Sequence, residues 1–221
     1  VGWRELKAAC PVRPEDLSAL RSQVSAVLQA VRREGDAALR DFAKTFDGYE
    51  GQIRVGPEEV ERVKRELPPD VIRGLDFAIE RVTAFAQAQF ESLSEFEREM
   101  IPGVFMGQRL VPVESAGAYV PAGRYPCLTS AVMSLAPAKV AGVRRLVTCS
   151  SPGREKRINP AILYTMAKIG ADEIYCLGGA QAIAAMAYGT QTIRPVDMIV
   201  GPGNQYVTEA KRQVYGTVGL D

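Results

Sequence analysis

Three polar side chains lie at or just beyond the ends of short apolar runs and could form one binding site: Tyr119, Gln181 and Asn204. Tyrosine can stack on a planar ring and offer its hydroxyl, and each amide can both donate and accept hydrogen bonds. None of these groups performs redox chemistry or accepts a proton efficiently at neutral pH. The three residues therefore predict a site for a planar, oxygen-rich molecule such as a nucleotide.

Catalytic side chains are harder to find, because the sequence contains no histidine. This excludes a Ser-His-Asp triad, a Cys-His dyad and a histidine-containing zinc site within the chain. The cysteines form no Cys-x-x-Cys pair, and we expect reduced thiols of a cytoplasmic protein: Cys10, Cys127, Cys149 and Cys176. Cys127 precedes a predicted helix beside the site, but no base accompanies it, so we expect a structural role. No catalytic residue and no metal ligand is assigned.

Glycine-containing turns surround the three polar residues. They are Gly178-Gly179, Gly201-Pro202-Gly203 and Pro121-Ala122-Gly123. A strand that ends at glycines and continues as a helix lets the backbone approach a ligand and offers N–H groups to an anion. The alternative is that these are ordinary tight strand-to-helix connections. A Gly-x-Gly-x-x-Gly motif is absent, so the common dinucleotide fingerprint does not apply.

The turns would be brought together by a parallel sheet. Strands are predicted at 116–120, 145–149, 173–177, 197–200 and from 218 on, and helices at 129–141, 160–169, 180–188 and 205–214. Strands that alternate with helices indicate right-handed βαβ crossovers. We therefore expect an α/β fold with an incomplete Rossmann-like domain over 104–221, whose strand ends share one edge.

The first hundred residues have a different pattern and are predicted to be mostly helical. Helices are expected over 13–33, from Asp36, from Pro57 and from Asp70 to about Phe96, with Asp36 and Asp70 as helix caps. We treat 1–103 as part of a separate domain whose remainder lies outside this chain. Its helices should expose apolar surface for a partner chain.

Composition narrows the class of partner. The formal net charge is +1 and hydrophobic residues make up 47% of the chain. No apolar run approaches the roughly 18 residues that span a bilayer. We expect neither a nucleic-acid nor a membrane partner.

Several blocks of sequence closely resemble histidinol dehydrogenase. The resemblance is densest from residue 116 onward and rests on Gly117-Ala118-Tyr119-Val120-Pro121, Gly178-Gly179-Ala180-Gln181-Ala182-Ile183, Ile199-Val200-Gly201-Pro202-Gly203-Asn204 and Glu209-Ala210-Lys211-Arg212. It implies NAD-dependent oxidation of L-histidinol to L-histidine, an amino alcohol as substrate, a zinc ion, a homodimer and a cytoplasmic location in histidine biosynthesis.

Site residues carry over from the same resemblance. It implies that Tyr119, Gln181 and Asn204 contact NAD and that Thr129 lies near the substrate. The turn residues expected around the cofactor are Pro121, Gly123, Gly178, Gly179, Gly201 and Gly203.

Two departures from the family pattern affect the expected function. The resemblance covers about half of the family's length, and the family's zinc ligands and glutamate–histidine pair lie in the other half, so we expect this chain to be inactive alone. Second, Pro121-Ala122-Gly123 with Arg124-Tyr125-Pro126 is also similar to relatives that oxidise other primary alcohols, such as a sulfonated propanediol. A non-catalytic nucleotide-binding module is a third reading, and it predicts a stop codon directly after Asp221.

Overall fold

The computed structural model describes residues 14–122 and 126–221. Its helices are α1 (Pro14–Glu34), α2 (Asp36–Asp47), α3 (Pro57–Glu66), α4 (Pro69–Glu91), α5 (Leu128–Val140), α6 (Pro160–Ile169), α7 (Gly179–Tyr188) and α8 (Gln205–Val214). Its strands are β1 (Phe96–Ile101), β2 (Val104–Gln108), β3 (Ser115–Val120), β4 (Arg145–Ser150), β5 (Glu173–Cys176), β6 (Met198–Val200) and β7 (Gly219–Leu220). No helix in these ranges is long and apolar enough to cross a bilayer.

The central element is a parallel sheet of five strands in the order β5-β4-β3-β6-β7. The chain runs outward from β3 to β5 and then returns to β6 on the other side of β3. This confirms the predicted α/β fold with a parallel sheet. The reversal makes the gap between β3 and β6 a topological switch point, where ligands of open α/β sheets bind beyond the carboxyl ends of the strands.

Helices cover both faces of the sheet because alternate strand residues are apolar on each side. Tyr119, Val147 and Cys149 point into a cluster with residues of α1 and α7. Val120 and Leu146 point into a second cluster with residues of α5 and α6. The N-terminal helices thus share the core of the sheet, and a domain boundary near residue 103 stays a prediction.

Two predicted helix caps were wrong. Asp36 is the first residue of α2, after Gly35, and its carboxylate instead accepts hydrogen bonds from the backbone N–H and hydroxyl of Thr192. Asp70 lies inside α4, which begins after Pro68. In both cases proline or a distant partner outweighs the local capping preference.

The end of α4 was also misplaced, because the helix stops at Glu91 and Phe96 begins a strand. β1 and β2 form an antiparallel hairpin around Pro102-Gly103. Every residue of both strands is exposed, including the apolar side chains Phe96, Met100, Ile101, Val104, Phe105 and Met106. Large apolar side chains are also exposed on the N-terminal helices, as expected, among them Phe77 and Phe85 of α4; we call these two and the six exposed apolar side chains of the hairpin the apolar face.

Candidate active site at the carboxyl edge of the sheet

Tyr119 lies at the centre of the edge where the parallel strands end. Its side chain is 3% exposed, and its hydroxyl accepts a hydrogen bond from the N–H of Gly179 at 3.2 Å. The same hydroxyl is 3.4 Å from Oγ of Ser151. Burial raises the pKa of Tyr119, so the phenol stays protonated. Because the ring is packed in the core, Tyr119 would contact a ligand here through its hydroxyl rather than by stacking.

The turn after β5 gives α7 no side-chain cap from its N-cap residue, Gly178, and only the Gly179 N–H is taken, by the Tyr119 hydroxyl. Gly179, with φ of 66°, begins the helix, and the N–H groups of Ala180 and Gln181 have no acceptor among the described residues. An uncapped helix start presents partial positive charge and donors. This is the arrangement that accepts an anionic or oxygen-rich group.

Gln181 folds back over this helix start. Its side chain is 2% exposed and forms no hydrogen bond with any described residue. Its Oε1 lies 2.6 Å from where a Cβ on Gly179 would be, so a side chain at position 179 would have to displace the amide. Among the described residues, the fully buried side-chain atoms that lack a partner are Asp47 Oδ2 and Ser150 Oγ, so the Gln181 amide keeps some access to solvent and can reach a ligand.

The turn after β6 touches the end of β3. A Cβ on Gly201 would lie 2.2 Å from the backbone oxygen of Tyr119, and Gly201 has φ of 107°. Its N–H donates to Oδ2 of Asp221 at 2.8 Å, and its carbonyl accepts from Nζ of Lys211 at 3.1 Å. The turns after β5 and β6 therefore both meet Tyr119, as expected from the sequence.

Asn204, predicted to bind a ligand, also caps the start of α8. Its Oδ1 accepts from the N–H groups of Tyr206 and Val207, at 3.0 and 3.1 Å, and so caps α8. The side chain is exposed, and Nδ2 remains available to a ligand. Asn204 can therefore donate to a ligand while its oxygen is used within the protein.

The remaining predicted residues lie around the same edge. The carbonyl of Pro121 accepts from the N–H of Cys127 at 3.2 Å, and Thr129 is exposed in the first turn of α5. Gly178 is extended and borders Ser151, whereas Gly203 borders Val207. Gly123 lies outside the described residues.

Residues suited to holding a metal do not assemble in the described part of the chain. No group of three or more cysteine, aspartate or glutamate side chains is close enough to share an ion there. Burial raises the pKa of Cys149, and it raises that of Cys176 to about 12, so neither thiol ionises near neutral pH. The described residues do not fit the family's zinc, and we derive no step through it.

Sequence reasoning missed three residues that shape this edge: Ser151, Lys211 and Asp221. Ser151 belongs to no recognisable motif. Lys211 was noted only within the block 209–212 that resembles the family, and its contact with Gly201 depends on how α8 packs beside β6. These partners are separated from the turns in sequence, so only the fold reveals them.

The family model of histidinol dehydrogenase matches residues 12–221. This chain belongs to the histidinol dehydrogenase family. It is 43% identical over 216 residues to a histidinol dehydrogenase homolog from Ruegeria pomeroyi, covering 98% of this chain and 50% of that protein. It is also 41% identical, with the same coverage of both chains, to sulfopropanediol 3-dehydrogenase of that organism.

A solved member of the histidinol dehydrogenase family has the same fold. The crystal structure of the enzyme from Elizabethkingia anophelis matches with a TM-score of 0.86 and 34% identity, over 99% of this chain and 48% of that one. The chain thus spans about half the length of these relatives. All three are named as dehydrogenases or as dehydrogenase homologs.

Proposed function

We propose that this chain is the nucleotide-binding half of an NAD-dependent dehydrogenase. The observation that carries the proposal is the amide of Gln181, which has no hydrogen-bond partner among the described residues and lies over the start of α7 beside the Tyr119 hydroxyl. Neither this amide nor the N–H groups of Ala180 and Gln181 have a hydrogen-bond partner among the described residues. They are suited to a ligand that supplies acceptor oxygens.

The groups present fit NAD. Backbone N–H groups of Ala180 and Gln181, Nε2 of Gln181 and Nδ2 of Asn204 would donate to its phosphate, ribose and carboxamide oxygens, and Tyr119 would add its hydroxyl. When bound, the nicotinamide would accept a hydride from the alcohol carbon of the substrate. The chain's own contribution is to bind and orient this cofactor.

Calorimetric titration of the purified chain with NAD tests the proposal. We expect saturable binding, weakened about tenfold in Gln181→Met, which keeps the side-chain volume but removes the amide. Gln29→Met, on the exposed surface of α1, is the matched control and should bind as the wild type does. An unaltered affinity in Gln181→Met, or no binding at all by the wild type, would contradict the proposal.

We infer that the substrate is a primary alcohol, with L-histidinol, an amino alcohol, first and a sulfonated propanediol as the alternative. The similar identities to the two kinds of relative support both. Thr129, exposed near the edge, is our candidate for substrate contact. Offering each alcohol with NAD to the chain reassembled with the second half of a family member separates them, because the true substrate should yield NADH and the other should not.

We further propose that the chain alone does not turn over substrate, because it contains no histidine and its described residues assemble no cluster of potential zinc ligands. These groups are assigned to the second half of the family's length. Purified chain incubated with histidinol and NAD should yield no NADH, and metal analysis should find no stoichiometric zinc. NADH formation, or one zinc per chain, would overturn this.

A non-catalytic nucleotide-binding module is the second candidate. Its support is that the described residues contain a binding edge without acid–base or metal chemistry. Supplying the second half of a family member in trans distinguishes the two functions. Restored turnover favours the dehydrogenase, whereas NAD binding without turnover in the reassembled protein favours the module.

We also propose a homodimer in the cytoplasm, taking part in histidine biosynthesis. The apolar face supports association, since the hairpin exposes six large apolar side chains and exposed apolar patches often mark protein–protein contacts. The histidinol dehydrogenase relationship supports the pathway.

A further inference from the structure

The turn after β6 is held from both sides by one ion pair. Gly201 donates its N–H to Oδ2 of Asp221 at 2.8 Å and accepts at its carbonyl from Nζ of Lys211 at 3.1 Å. Lys211 also pairs directly with Oδ1 of Asp221. Both polar groups of a single glycine are therefore held by two oppositely charged side chains that hold each other.

This glycine needs such partners more than others do. β6 ends at Val200, so the sheet provides no ladder hydrogen bonds for the Gly201 N–H and carbonyl. The backbone is in a left-handed conformation, with φ of 107°, and is pressed against the Tyr119 backbone. A turn with these features keeps its shape only when surrounding groups hold it.

The lysine side of the ion pair is partly buried, whereas the aspartate side is exposed. The side chain of Lys211 is 15% exposed and that of Asp221 is 42% exposed. An ammonium group held this far from water stays in place only while its acceptors do. Lys211 comes from α8 and Asp221 follows β7, so the pair also ties the turn to both elements beyond it.

The other end of the turn is fixed independently. Pro202 restricts the backbone, and Asn204 caps α8 through Oδ1, which directs Nδ2 away from the helix. With Gly201 held at the start and Asn204 at the end, the direction of the Asn204 donor is set before a ligand arrives. Preorganised donors bind more tightly because less conformational freedom is lost on binding.

We propose that Lys211 and Asp221 are positioning residues that hold the Gly201 turn so that Asn204 meets the bound nucleotide. This rests on the proposed function, because it assigns the two residues to the same NAD site. Neither residue touches the nucleotide. They act through the backbone of Gly201.

Calorimetric titration with NAD tests the proposal. We expect Lys211→Met to bind NAD about tenfold more weakly, and Lys211→Arg, which keeps charge and donors, to restore most of the affinity. Asp221→Asn keeps an oxygen for the Gly201 N–H but loses the charge, so it should fall between the two. Lys168→Met is the matched control. Nζ of Lys168, on α6, lies 3.4 Å from Oδ2 of Asp76 on α4, so this ion pair is separate from the Gly201 turn and its loss should not change NAD binding.

The outcomes separate this proposal from the one on which it rests. If the wild type binds no NAD, the proposed function fails and takes this inference with it. If the wild type binds NAD and Gln181→Met is weakened, while folded Lys211→Met and Asp221→Asn bind as the wild type does, the positioning role alone is wrong. If Lys211→Met does not fold, Asp221→Asn and Lys211→Arg decide the same question. An Arg variant that binds as poorly as the Met variant would also contradict the proposal.

Discussion

The carboxyl edge of the five-stranded sheet and the β1–β2 hairpin differ in how far the chain completes them. At the edge, Tyr119 is buried, Gly201 is held by two side chains, and the end of β3 contacts two turns. In the hairpin every strand residue is exposed, and the other described elements make little contact with it. A two-stranded hairpin is at best marginally stable by itself in water. The chain alone thus specifies the edge, whereas among the described residues the hairpin is held mainly by the pairing of its own two strands.

We expect the largest loss of stability when a glycine at the carboxyl edge of the sheet is replaced. Gly201→Ala places a Cβ 2.2 Å from the backbone oxygen of Tyr119, in a backbone conformation that L residues rarely adopt. We expect a loss of about 3 kcal/mol or more of unfolding free energy, because backbone atoms must shift. Chemical denaturation followed by circular dichroism measures the loss.

Gly103→Ala in the hairpin is the matched comparison. Gly103 also has a positive φ, 81°, but a Cβ there would meet nothing within 4 Å. The cost should be about 1 kcal/mol, from backbone strain alone. If Gly103→Ala loses as much unfolding free energy as Gly201→Ala, then the contact with the Tyr119 backbone adds nothing to the cost at Gly201.

Removing the Tyr119 hydroxyl should cost less stability than replacing Gly201, but the loss should be measurable. Tyr119→Phe leaves the Gly179 N–H without its acceptor, and we expect about 1–2 kcal/mol of destabilisation. Gln108→Ala, which removes an exposed hydrogen bond to the Ser94 carbonyl in the hairpin, should stay within about 0.5 kcal/mol of the wild type. Thermal denaturation of both variants tests this, and a larger effect of Gln108→Ala would reverse the comparison.

The two regions also differ in how well the sequence predicts them. The parallel sheet follows from alternating strand and helix patterns that each need only local residues, and the glycine turns follow from the same patterns. The convergence on Tyr119 follows from the rule that parallel strands end at one edge. The burial of its ring could not be predicted, because it depends on α1 packing over the sheet from far away in the chain.

Long-range contacts explain the errors. The sequence predicts Asp36 as a helix cap, but its carboxylate accepts a hydrogen bond from the N–H of Thr192, which is 156 residues away. Lys211 reads as a surface lysine of α8 until the pairing of β6 with β7 brings Asp221 beside it. The hairpin had a local signal in Pro102-Gly103, a turn between two runs with strand character, which was interpreted as a change of domain instead.

Acid should weaken the α/β region through Glu209 on α8. Hydrogen bonds from Arg212 lower the pKa of the buried Glu209 carboxyl from 4.5 to about 2. A lowered pKa contributes stability above the unfolded value, and that contribution is lost as the pH falls from about 4.5 towards 2.

Glu209→Gln should therefore be less stable than the wild type at pH 7, by about 1 kcal/mol since Arg212 is well solvated. The difference should shrink to nothing as the pH approaches the lower pKa. Urea denaturation across this range measures it. The same substitution at Glu97, exposed in β1, is the control and should give a curve parallel to that of the wild type. A constant difference at all pH values would rule out the ionised carboxylate as its cause.

The smallest effect on stability is expected in the hairpin itself. Phe105 is 63% exposed in β2, so Phe105→Ser removes almost no buried contact from the single chain. The unfolding free energy of the dilute chain should change by less than about 0.5 kcal/mol.

Association should change far more, because an exposed aromatic side chain at the centre of a contact contributes strongly to binding. Sedimentation velocity at increasing concentration should show dimers in the wild type and fewer in Phe105→Ser. Phe46→Ser, 58% exposed on α2 and outside the apolar face, should leave the sedimentation unchanged. Equal association in all three proteins would mean that the hairpin's partner is not a second copy of this chain.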